Sequence, residues 1–142
     1  MIYLDASYLV RLYYKDHGYE AVRALAATAP IACALHGRAE VVSALHRKFR
    51  DGNITPALYT TALQEFSYEN RAEAFRWLPL SHTIFDRLDR IYSSLPANIF
   101  LRSGDAIHLA CAAENGFNEI YSNDQHLLAA ARHFRLKGLN VI

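Results

Sequence analysis

Five short stretches of strand character punctuate the chain: residues 2–4 (IYL), 31–35 (IACAL), 76–80 (RWLPL), 119–122 (EIYS) and 139–142 (LNVI). The segments between them carry apolar residues at helical spacing. Strands that alternate with helices from end to end select a parallel sheet covered by helices, because each strand then needs a crossover to reach the next. The expected fold is therefore α/β, a mostly parallel central sheet flanked by helices on both faces. In open sheets of this kind, ligands bind beyond the carboxyl ends of the strands, where strand order reverses.

The helical segments carry their own punctuation. Leu9, Leu12 and Tyr13 space one helix behind the first strand, and Tyr19, Val22 and Leu25 space a second that Pro30 ends. Val41, Val42, Leu45 and Phe49 form the apolar side of a helix from about residue 38 to 50, with Gly52 as its stop. Thr55-Pro56 is an N-cap followed by proline at the first helical position. Pro79 makes the third strand an edge or a strand end. Ser81 heads a helix through Ile84, Leu88, Ile91 and Leu95, and Asp105 and Asp124 head the last two.

At 142 residues the chain fits one domain, and 52% hydrophobic with 20% charged residues marks a folded protein rather than a disordered one. The start MIYLDAS has no basic leader and carries an acid at position 5, so a cytoplasmic location is expected. The longest uncharged apolar stretch, ALAATAPIACAL, is broken by Pro30 and falls short of the roughly 20 residues of a membrane span. Cys33 and Cys111 lie in apolar runs and read as buried free thiols. A net charge of +1 does not by itself point to nucleic acid. Pooling several of the acids in one site would nevertheless leave a basic frame around it.

Asp5 and Asp124 each follow a short strand, which places both at the carboxyl edge of the sheet. Asp105 begins a helix, and helices that follow strands start at the same edge. Glu40 is a fourth acid, on a stripe with His36, Ser43 and Arg47 that also reads as a solvated helix face. Carboxylates brought together raise one another's pKa unless a cation cancels their charge. Oxygen ligands with open positions suit Mg2+, with Mn2+ as a substitute, whereas Zn2+ prefers His and Cys. Such an ion acidifies water and neutralises phosphoryl charge, the chemistry of phosphodiester hydrolysis.

Supporting residues each carry a structural alternative. Ser7 and Ser122 suit water or substrate contacts and equally suit helix caps. His108, one turn after Asp105, reads as a hydrogen bond to that carboxylate or as filler on the helix face. Arg102, Arg11 and Lys15 suit phosphate contacts and equally a plain surface. Tyr8, Tyr13 and Tyr14 suit a dimer or partner surface as well as a core.

IYLDASYLV at the start, Glu40 in RAEVVSAL, then SGDAIHLACAAENG and IYSNDQHL resemble, in order and spacing, the PIN-domain family, specifically the VapC-type toxins of toxin–antitoxin pairs. The resemblance covers nearly the whole chain. It implies a metal-dependent endoribonuclease that hydrolyses RNA, pairs as a homodimer and is inhibited by a small cognate antitoxin. Asp5, Glu40, Asp105 and Asp124 match the family's acidic quartet, with Asp5, Asp105 and Asp124 as metal ligands and Ser122 at the hydroxyl position ahead of the last acid. Asp105 is thereby expected both to cap its helix and to serve the ion. One departure is that Gln125, His126 and Leu127 follow Asp124 where some relatives carry a further acid, which takes away a ligand for a second ion.

Other classes fit less well. An aspartyl phosphatase needs an acid two residues after the first, where Ser7 stands. No G-x-S-x-G elbow, dinucleotide loop or P-loop is present. A receiver-like signalling module needs an acceptor acid at a central strand end, whereas Asp51 lies in a helix-terminating turn. An inactive PIN-like binding or dimerisation module is the remaining alternative.

Overall fold

In the computed structural model, which describes residues 1–142, strands β1 (Ile2–Tyr3), β2 (Ile31–Ala34) and β3 (Phe75–Leu78) pair in parallel. Strands β4 (Glu119–Tyr121) and β5 (Lys137–Leu139) form a second parallel pair. A bridge between Leu4 and Tyr121 joins the three-stranded sheet and the pair edge to edge. The order across the whole is therefore β3-β2-β1-β4-β5. The chain winds outward from β1 to β3, then returns across β1 to build the other side, so strand order reverses between β1 and β4. That switch point is where Asp5 and Ser122 emerge.

Seven helices cover the sheet. Alternation along each strand divides the core in two, as a pleat requires. Ile31 and Cys33 face one way, with Leu9, Val22, Val41, Leu45 and Phe66 from helices α1 (Ala6–Tyr13), α2 (Tyr19–Ala26), α3 (Gly37–Arg50) and α4 (Pro56–Arg71). Ala32 and Ala34 face the other, with Ile84, Leu109 and Leu127 from α5 (His82–Ser94), α6 (Ser103–Glu114) and α7 (Gln125–Ala130), which a 3-10 turn over Ala131–Phe134 extends. Each fully buried Leu or Ile among these contributes about 1.5–3 kcal/mol. The small residues of α6, Ala106, Ala110 and Ala112, are all buried, which lets that helix lie close to the sheet. Both cysteines are buried and free, and no helix is long and apolar enough to cross a membrane.

Several boundaries differ from the sequence expectation. The third strand begins at Phe75 and ends at Leu78, before Pro79. The last strand is Lys137–Leu139, because Asn140 and Val141 are diverted to the hydroxyl of Tyr8. Tyr8 is thus fully buried, not a partner surface. Arg11 is buried as well, its guanidinium spent on the carbonyls of Ser7 and His17, which removes it from any role on phosphates. Helix α6 starts at Ser103, so Asp105 lies inside the first turn and does not cap.

Candidate active site

Four side chains from separate stretches of sequence, Asp5, Glu40, Asp105 and Asp124, line one open cavity of about 400 Å³. The fold assembles it at the switch point. Asp5 leaves β1 in extended geometry and caps α1, its Oδ1 accepting from the Tyr8 N–H at 3.0 Å. Its own N–H donates to the Tyr121 carbonyl, which brings the end of β4 alongside. Asp124 caps α7 through Oδ1, which accepts from the N–H groups of His126 and Leu127. Glu40, on the first turn of α3, completes the ring, and Ser43 and Arg47 of the same stripe also line the cavity.

Asp5 is nearly enclosed. Ser7 Oγ donates to its Oδ1 at 2.6 Å and Ser122 Oγ to its Oδ2 at 2.5 Å. With Tyr8 N–H, three of the carboxylate's roughly four acceptor positions are filled, and the one left lies on Oδ2. Ser122 is fully buried behind Asp5 and also accepts from the Asp124 N–H at 2.9 Å, so it ties two acids together from below instead of facing the cavity. Neither serine caps a helix. Both orient Asp5.

Arg102 reaches over the rim. Its Nε donates to Asp105 Oδ2 at 3.0 Å and its Nη2 to Asp124 Oδ2 at 2.8 Å, so one guanidinium joins two of the acids. One turn further along α6, His108 Nε2 donates to Glu40 Oε2 at 2.7 Å, not to Asp105 as its spacing suggested. Glu40, as a carboxylate, only accepts, so His108 Nδ1 is left to accept from the Tyr3 hydroxyl at 2.9 Å. The Tyr3 oxygen in turn accepts from the Ala34 N–H. Tyr3 gave no sequence signal beyond that of a core aromatic in a strand.

The PIN domain model matches residues 2–133. The chain belongs to the PIN-domain family. Among solved structures, this PIN domain is similar to VapC20 of Mycobacterium tuberculosis, described as a sarcin-ricin loop cleaving toxin, with a TM-score of 0.68 and 18% identity over 92% of this chain and 95% of that one. It is also similar to VapBC2 from Rickettsia felis bound to a DNA fragment from its promoter, with a TM-score of 0.68 and 16% identity over 99% of this chain and 98% of that one. No curated protein matches the sequence at a significant level.

Within this PIN domain the acids do not titrate alike. Burial pushes the Asp5 carboxyl up, against the opposing pull of His108, Ser122, Ser7 and the Tyr8 N–H. Burial also raises Asp105, with Arg102 working the other way. Glu40 is pushed up by its partial burial, yet the His108 hydrogen bond and the nearby His36 and Arg102 hold it below its usual value. Burial therefore prevails at Asp5 and Asp105, and the neighbouring donors prevail at Glu40.

Proposed function

We propose that residues 1–142 act as one metal-dependent endoribonuclease domain, the cytoplasmic toxin of a VapBC-type pair, with Asp5, Asp105 and Asp124 holding Mg2+ and Glu40 completing the catalytic quartet. The observation that carries this reading is the convergence of the four acids on one cavity at the switch point of a PIN fold. The residues fit the ion. The four acids around the cavity present hard oxygens, Asp5 Oδ2 keeps a free acceptor position, and Asp105 and Asp124 already share one cation, the Arg102 guanidinium. When bound, a hard divalent cation supplies acidified water and neutralises charge on a phosphodiester.

The chain's own residues do the remainder. Ser7 and Ser122 fix the Asp5 carboxylate in one orientation, so no reorganisation is needed at the moment of reaction. Arg102 and Arg47, at the cavity wall, bind RNA phosphates and set the register of the strand. The Tyr3–His108 pair holds Glu40 against the wall. The description of VapC20 as a loop-cleaving toxin supports RNA as substrate, and the VapBC2 structure supports a small antitoxin as partner; the resemblance to VapC-type toxins has the chain pair as a homodimer.

The test is sequencing of RNA ends after brief expression in cells, beside an Asp5→Asn control, with cleavage by the purified chain repeated in EDTA. New ends confined to the parent and abolished by EDTA support the reading. Identical ends in the Asp5→Asn cells, or cleavage that persists in EDTA, contradict it.

A further inference from the structure

We propose that His36, Glu40 and His108 form a nitrogen-rich metal site for a zinc-type divalent ion, different in ligand chemistry from the oxygen set formed by the aspartates. One ligand atom from each of the three lies within 4.8 Å of the others. His108 Nε2 is 2.7 Å and His36 Nε2 3.7 Å from the same Glu40 oxygen, and the two imidazole rings lie 4.2 Å apart. His36 and Glu40 are four apart at the start of α3, which puts both on one face, and α6 delivers His108 against them.

The surroundings are shaped for these groups. A Cβ at Gly104 would meet Glu40 Oε1 at 2.9 Å. At Gly37 a Cβ would meet Cys33 Sγ at 2.6 Å and the His108 ring at 3.4 Å. Gly104 therefore leaves room for the Glu40 carboxylate, and Gly37 lets α3 approach Cys33 beside the His108 ring. Tyr3 supplies the outer partner that orients a ligating imidazole. Binding displaces the Nε2 proton that His108 now gives to Glu40; the imidazole then carries its proton on Nδ1 and donates it to the Tyr3 oxygen, whose own O–H turns to Cys111 Sγ. His36 Nε2 donates to the Gly104 carbonyl at 3.1 Å, so ligation by Nε2 gives up that bond and moves the proton to Nδ1, which is buried with no partner at present. Two imidazoles and one carboxylate suit Zn2+ or Co2+ and leave a position open, whereas Mg2+ keeps to oxygen.

Titration of the full-length protein with Co2+, read by visible absorption, tests the site. One ion per chain is expected, with the strong bands of a low-coordinate nitrogen-ligated centre, bleached by equimolar Zn2+ and untouched by excess Mg2+. Asp124→Asn should keep the bands, and His36→Gln and His108→Gln should lose them. Tyr3→Phe should weaken Co2+ binding by about 10–100-fold, the usual effect of removing an outer partner. Because His108 is buried, His36→Gln, checked for folding by circular dichroism, carries the decision if the other variant fails to fold. Undiminished Co2+ binding by His36→Gln, loss of the bands in Asp124→Asn, or no bands in the parent would overturn the proposal.

Discussion

Asp5 is 4% exposed and is held by two hydroxyls and one backbone N–H, all neutral. Asp105 and Asp124, whose side chains are 15% and 25% exposed, are held instead by the guanidinium of Arg102, itself 59% exposed. The floor of the cavity thus orients a carboxylate with neutral donors alone, and the rim shares one guanidinium between two carboxylates, of which Asp124 is also held by the first turn of α7. Buried charge without a counter-ion is a demand for a cation. An exposed arginine is a cation that can be displaced, since exposed ion pairs are worth little each.

The largest effect should come from the floor. Asp5→Asn should lower RNA cleavage by about a thousandfold, on the scale of losing one preorganised electrostatic group, while folding persists because Asn caps a helix as well as Asp. Without metal the variant should melt no lower than the parent at neutral pH. The folded-state pKa of Asp5 is raised by burial, so its contribution to stability is present below the unfolded pKa and is lost as pH rises through the folded one. The gap between the two melting curves should close as pH falls. If the parent instead gains on the variant toward neutral pH without metal, the floor is already neutralised and the contrast fails.

Next comes Ser122→Ala, which removes a hydrogen bond to a buried carboxylate and an acceptor for the Asp124 N–H. A loss of about 2 kcal/mol in urea unfolding is expected. An unchanged midpoint would show that Asp5 does not depend on the hydroxyl. At the rim, Arg102→Gln should tighten Mn2+ binding by about three- to tenfold, as two exposed ion pairs cease to compete, and should lower the salt slope of RNA binding by about one. Weaker Mn2+ binding would mean that Arg102 organises the acids. Asp16 is the control outside the cavity. Lys48, hydrogen-bonded at 2.9 Å, holds its carboxyl low despite partial burial. Its contribution is present above the unfolded pKa and fades as pH falls through the folded one, the opposite sign to Asp5. Asp16→Asn should cost about 0.5 kcal/mol by the same unfolding assay, the scale of a half-exposed pair.

The strand and helix alternation was legible because two-sided burial leaves short apolar runs such as IACAL and helical faces such as that of Leu45 and Phe49. The four acids were legible as residues following strands or opening helices. Local pattern could not show which partners hold them. Asp105 has the composition of a cap, yet α6 starts two residues earlier and gives that carboxylate to Arg102. Ser122 and Asp5 stand far apart in sequence and meet only through the β1–β4 bridge. Arg11 reads as a plain surface cation and Tyr8 as core or partner surface, yet the carbonyls of Ser7 and His17 take the first and a chain terminus that no periodicity announces covers the second. Long-range pairings of this kind are set by tertiary packing, which a local pattern does not encode.

The central claim is that distant carboxylates share a single hard cation, and Mn2+ binding followed by electron paramagnetic resonance tests it most directly. The account predicts that Asp5→Asn, Asp105→Asn and Asp124→Asn each abolish the same bound-Mn2+ signal seen in the parent. Retention of that signal in any one of the three, at the parent's affinity, would contradict it.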